Sequence, residues 1–220
     1  MRPVVRRNAL LKLNEARCSQ GYSIYQCAIE TNQSEYKVAL QLYGYKAVAR
    51  SIIDFIKDNG LTDSEINALT WPPRGRPDNE LDRLSKSRLQ FQLLELFDMH
   101  LYDINKKISD KFKGKILLTG FFDLYINEVG KDIVFEIYIF MTGVEGANGY
   151  NLGLSSLNDT LRKHIRPIAC SLNERFGNFT LLNSRSSFEF GDGREYYEPF
   201  EEIKLKIVVP RQNVSTFFID

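Results

Sequence analysis

The spacing of apolar residues changes once along this 220-residue chain, at Lys113-Gly114-Lys115. That change constrains the fold more than any other feature. Before it, apolar residues recur at three and four positions, the spacing that places side chains on one face of a helix. Leu89, Leu93, Phe97, Leu101, Ile104, Ile108 and Phe112 form one such stripe, which predicts a single long helix. An earlier stretch, Glu35 to Asp58, predicts another helix with Val38, Leu42, Tyr45, Ala49, Ile52 and Ile56 facing inward, stopped by Asn59-Gly60. Thr62-x-x-Glu65 is a capping box, and Leu61 and Ile66 stand at the positions of a hydrophobic staple. A short helix from Asp63 to Thr70 is therefore expected, ended by Pro72-Pro73.

Beyond Gly114 the period becomes two. Phe122, Leu124 and Ile126 alternate with Asp123, Tyr125 and Asn127. Gly130-Lys131 turns the chain, and Ile133, Phe135, Ile137 and Ile139 return on one face. A glycine-rich loop from Gly143 to Gly153 leads to a helix capped by Ser155 or Ser156, kinked or split at Pro167 and ending near Phe176-Gly177. Two strands, about Phe179–Phe190 and Glu202–Val209, follow, the second closed by Pro210. The expected class is α+β: a helical half, residues 1–112, then an antiparallel sheet with one packed helix, residues 113–220, in hairpin-helix-hairpin order. The alternative is one continuous domain.

Composition limits the partners. Lys and Arg number 29 against 28 Asp and Glu, so no positive potential covers the whole molecule. The balance differs by half: 17 basic to 14 acidic residues before position 113, and 12 to 14 after it. The basic end, with five cations and one acid in the first 17 residues, is the place to look for an anionic partner. Cys18, Cys27 and Cys170 are too few and too widely spaced for a disulfide framework or a four-cysteine zinc site. Cys18 and Cys27 could pair, but a reducing compartment is the simpler reading, and without an apolar leader or membrane-spanning run the expected location is the cytoplasm.

Two windows have the local features of a helix-turn-helix unit: a tight turn, a small residue where helices cross, and a second helix with a free polar face. The first is Cys27-Ala28-Ile29-Glu30-Thr31-Asn32-Gln33-Ser34, with Ser34 capping a helix that carries Lys37 and Val38. The second runs from Phe55 and Ile56 through Gly60 to Leu61, Ile66 and Leu69. Each departs from the pattern, at Gln33 in the first and at Ile56 and Asn59 in the second. Pro73-Arg74-Gly75-Arg76-Pro77 then resembles the core of the AT-hook, a motif that lays Arg-Gly-Arg along a narrow minor groove. The resemblance covers five residues, and Asp78, Glu80 and Asp82 follow where such hooks continue with basic residues. It implies DNA contacts from Arg74, Gly75 and Arg76. Lys37, Arg6 and Arg7 complete the candidate set.

Catalytic patterns are weaker. His100 falls on the apolar stripe between Leu96 and Ile104, as a core histidine does; His164 lies among Arg162, Lys163 and Arg166. Asp192, Glu202 and Lys204 have the loose spacing of metal-dependent nucleases, and Gly143-x-x-Gly146-x-x-Gly149 joins a strand to a helix without the Lys-Ser/Thr of a phosphate loop. No catalytic residue, metal ligand or cofactor is assigned. The expectation is a non-enzymatic DNA-binding protein, with the sheet half pairing with itself or with a protein partner. A scaffold subunit and a metal-dependent nuclease are the alternatives.

Overall fold

The computed structural model describes residues 3–73, 87–111, 115–145, 152–177, 179–191 and 200–213. The chain is α+β and divides into two compact units. The first comprises residues 1–86 and 166–177, the second 87–165 and 178–220.

The helical unit opens with α1 (Pro3–Ser19), whose Pro3 occupies the first-turn position where a missing N–H costs nothing. Ala9 and Leu13, one turn apart, are fully buried. Helix α2 (Ile24–Glu30) starts at a capping box in which Ser23 and Gln26 satisfy each other's backbone N–H groups. Asn32 takes a φ of 51°, and Ser34 caps α3 (Glu35–Leu42) by accepting from Lys37 N. The predicted helix from Glu35 to Asp58 is in fact two. Its first part stops because Gly44 sits at φ 82°, with Gly44 N and Tyr45 N donating back to Gln41 O and Leu40 O. A Cβ on Gly44 would meet Leu10 Cδ1 at 3.0 Å, so the close approach of α1 requires glycine as well. The chain resumes as α4 (Arg50–Phe55), and α5 (Asp63–Thr70) follows the predicted capping box at Thr62 and Glu65. Ala9, Leu13, Ile24, Cys27, Val38, Leu42, Ile52, Ile56 and Leu69 form the core.

Glu65 reports on this packing. Its carboxylate accepts from Lys12 Nζ at 2.7 Å and from Thr62 N at 2.9 Å, and these bonds lower its pKa from 4.5 to about 2. A depressed carboxyl stabilises the fold fully above its ordinary pKa, and that contribution fades as pH falls toward the folded value. A side-chain carboxyl NMR titration should place the Glu65 midpoint near 2, and Lys12→Ala should move it back toward 4.5.

The second unit is built on the hairpin β1 (Lys115–Val129) and β2 (Asp132–Glu145), which turns at Gly130 with φ 63°. Strand β5 (Phe200–Asn213) pairs with β2, and its far edge takes β3 (Phe179–Leu181) and β4 (Arg185–Gly191), all antiparallel. The predicted single strand from Phe179 to Phe190 is thus two. Pro210 does not close the last strand but lies within it, opposite Asp132 at the start of β2. Register places Leu124, Ile126, Ile133, Phe135, Ile137, Ile139, Ile203, Leu205, Ile207 and Val209 on one buried face. Helix α6 (Arg88–Lys111) buries Leu89, Leu93, Leu96, Phe97 and Leu101. His100 is 5% exposed, with Nε2 2.7 Å from Ser184 Oγ.

Helix α7 (Leu152–Phe176) begins before the predicted serine caps and runs through Pro167 without interruption. Its last turns belong to the helical unit. There the Glu174 carboxylate accepts two hydrogen bonds from Arg17, from Nη1 and Nη2 each at 2.9 Å, and a third from Ile24 N at 3.0 Å. Ser171, one turn before Glu174, and Arg175, the residue after it, donate to Glu35 at 2.6 and 2.9 Å.

Candidate functional site

The helical unit carries the positive charge of the chain, with fifteen Lys and Arg against eleven Asp and Glu. Part of that charge is engaged internally. Arg6 lies on α1 with its guanidinium donating to Ala68 O, Leu69 O and Trp71 O, the carbonyls that end α5, and to Lys46 O. A cation at a helix C-terminus satisfies acceptors the helix leaves open. Burial lowers the pKa of this arginine from its ordinary value. Arg7, the next residue, is exposed. Arg17 is 3% exposed; burial opposes its charge, but the Glu174 carboxylate more than offsets this and holds its pKa above the usual value.

Three cations converge elsewhere. Lys37 of α3, Lys46 and Arg50 border a hollow of about 420 Å³, together with Gln41, Ala47, Val48, Ala49 and Thr70. Among the described residues no acidic side chain lines it. Its wall is held by backbone and amide bonds: Val48 N donates to Leu69 O at 2.9 Å, and Ala49 N donates to Gln41 Oε1 at 2.6 Å. Gln41 is 5% exposed, and its Nε2 donates to Gln33 Oε1 at 2.7 Å. Gln33, which occupies a position expected to be apolar, therefore joins the turn after α2 to α3. Arg50 keeps a loose pair with Asp54 at 3.9 Å, both side chains well exposed. Three cations at the rim of one hollow give it a locally positive potential.

The second face of α3 is closed. Seven of its eight residues are buried, leaving only Lys37 partly open. Val38, Ala39 and Leu42 face the core. Glu35 is held by Ser171 and Arg175, and burial, opposed by those two donors, raises its pKa. Tyr36 and Leu40 are 2% and 0% exposed.

The remaining sequence candidates distribute as follows. Arg74, Gly75 and Arg76 lie outside the described residues, as do Asp192 and most of the Gly143–Gly149 loop. Trp71, just before the AT-hook-like segment, is 65% exposed. All three cysteines are free; Cys27 is buried, which pushes its thiol up to about 11. Among the described residues no three His, Cys, Asp or Glu side chains gather as a metal site, and no helix is long and apolar enough to cross a membrane. Sequence reasoning missed Lys46, Arg50 and Gln41. It also passed over the Ser23-x-x-Gln26 capping box, which marks the start of α2 in the sequence.

No protein-family model and no curated protein matches the chain. Seventeen chains among solved structures do. One is the crystal structure of cyanase from T. urticae, 18% identical, aligned over 63% of this chain and 97% of that chain with a TM-score of 0.46. At that identity and score the likeness says nothing of activity.

Proposed function

We propose that this chain is a non-enzymatic DNA-binding protein whose helical unit makes the contact. The observation that carries the reading is the hollow bordered by Lys37, Lys46 and Arg50, with no acid among the described residues that line it, on the more basic of the two units. Lysine and arginine bind phosphate by charge and, for arginine, by paired N–H groups. The α2–turn–α3 pair, read as a helix-turn-helix, would bring Lys37 to the duplex, with Arg7 and the Arg74-Gly75-Arg76 segment as further contacts.

The test is fluorescence anisotropy on a labelled duplex across a salt series. Each phosphate contact contributes about 0.9 to the slope of log K against log salt. Lys37→Ala, Lys46→Ala and Arg50→Ala together should therefore reduce the slope by up to about 2.7. Absence of duplex binding by the wild type at low salt would refute the proposal, as would a triple variant that binds like the wild type.

A second reading, a protein-binding subunit, is favoured by a different observation. On α6, Phe91, Met99 and Tyr102 are 58%, 50% and 73% exposed, although the opposite face of that helix is core. Protein that passes through heparin without retention, yet elutes above its monomer mass, would support this reading over the first.

A further inference from the structure

We infer that Arg6 is a positioning residue, which touches no DNA itself and fixes the direction in which the chain leaves α5 toward Arg74-Gly75-Arg76; this rests on the DNA-binding reading above. Charge and basic neighbours make Arg6 look like a phosphate contact in the sequence, but its guanidinium is engaged inside the unit. Nη1 donates to Ala68 O at 2.7 Å, Leu69 O at 3.0 Å and Trp71 O at 2.7 Å, and Nη2 donates to Lys46 O at 2.7 Å. One planar group thus ties α1 to the segment after α3 and to the last carbonyls of α5.

The bond to Trp71 acts on the chain beyond α5. Trp71 ends that helix with φ −83° and ψ 147°, in the polyproline II region. A residue before proline is pushed to such angles, and Pro72 and Pro73 each hold φ near about −65°. These restrictions stiffen the stretch without aiming it. Arg6 aims it, because it pins the carbonyl of the first extended residue to α1. Arginines entering a narrow minor groove gain from a backbone that is held in advance, since ordering it during binding costs affinity. Lysine at position 6 would keep the charge and lose the clamp. An ammonium is a point donor on a flexible stem, whereas the guanidinium is a rigid fork, and here it spans carbonyls 40 and 65 positions away.

The experiment uses the full-length chain and two readouts. Trp71 is the single tryptophan and is 65% exposed, so its fluorescence anisotropy follows the clamp without any ligand. Arg6→Lys should lower that anisotropy while the far-UV circular dichroism stays unchanged. The second readout is the affinity for labelled A·T-rich and G·C-rich duplexes of equal length across a salt series. Wild type should prefer the A·T-rich duplex by about tenfold or more, and Arg6→Lys should bring the ratio within about threefold of one. Adding Arg6→Lys to Arg74→Ala with Arg76→Ala should lower the ratio no further than that pair does alone. Inserting Gly-Ser-Gly-Ser between Pro73 and Arg74 leaves α1 and α5 untouched and should lower the ratio in the same way, so the test does not depend on how well the Arg6 variant folds. A phosphate contact at Arg6 gives a different pattern: Arg6→Lys keeps both affinities, and Arg6→Gln weakens both duplexes alike with a slope lower by about 0.9. That pattern would overturn the inference, as would unchanged Trp71 anisotropy in Arg6→Lys, a wild-type ratio in the insertion variant, or a wild type that binds both duplexes equally. A wild type that binds neither duplex would instead remove the DNA-binding reading on which it rests.

Discussion

Phe97→Ala should destabilise the second unit by about 3–5 kcal/mol, read as a shift of the denaturant midpoint at unchanged slope. Phe97 is 2% exposed and lies in the middle of the buried face of α6, with Leu93 and Leu101 one turn to either side, both closed to solvent. Its ring meets Phe135 of β2 edge-on, with centroids 5.5 Å apart and planes at 77°. That geometry places the positive edge of one ring on the negative face of the other and adds to the area both bury. Alanine removes the ring and leaves a void between helix and sheet that rigid strands cannot collapse to fill. Phe97→Leu should cost less, because it keeps most of the volume. A loss under about 1 kcal/mol for the alanine variant would contradict the packing of α6 on the sheet.

Arg175→Met should destabilise the helical unit by about 3–5 kcal/mol, through charge rather than volume. The Arg175 and Glu35 side chains are 10% and 3% exposed and meet at 2.9 Å. The guanidinium also lies 3.7 Å from the centroid of the Tyr25 ring. Removing it leaves a carboxylate in a site from which water is excluded, with only Ser171 to hold it. Burial already raises the Glu35 pKa, so protonation favours the folded state, and the variant should recover stability as pH falls through that raised value. Glu35→Gln added to Arg175→Met should restore much of the loss, because no unpaired charge remains. Chemical denaturation of the four proteins at two pH values gives the coupling directly. Additive costs for the two substitutions would mean that the pair does not interact.

The parts of the fold that were legible in the sequence are those set by local rules. The stripe of α6 and the alternation of β1 and β2 follow from side-chain geometry within one element, and Thr62-x-x-Glu65 closes its capping box with residues three apart. The misread parts have a common cause. From Glu35 to Asp58 the apolar spacing is compatible with one helix, but Gly44 lets the chain turn under Leu10, a residue 34 positions away. Pro210 sits inside β5 because its partner is the first residue of β2, a pairing no local pattern around Pro210 announces. Arg6 stood in the sequence as one cation in a basic run; the carbonyls it serves end a helix more than sixty residues on.

The candidate site shows the same division more sharply. That the cations lie mainly in the N-terminal half could be read from composition alone, and that Lys37 follows a Ser cap at the start of a helix could be read from the local sequence. Only the tertiary structure decided that Lys37, Lys46 and Arg50 share one hollow. On a continuous helix, nine residues rotate the chain by about 180°, so Lys37 and Lys46 would point to opposite sides. The break at Gly44 and the bond from Ala49 N to Gln41 return the chain against α3 and bring the charges together. Only the tertiary structure, too, closed the rest of α3. Ser171 and Arg175 reach Glu35 from 136 and 140 residues away, and a side chain's freedom to meet a ligand depends on such distant neighbours rather than on its own segment.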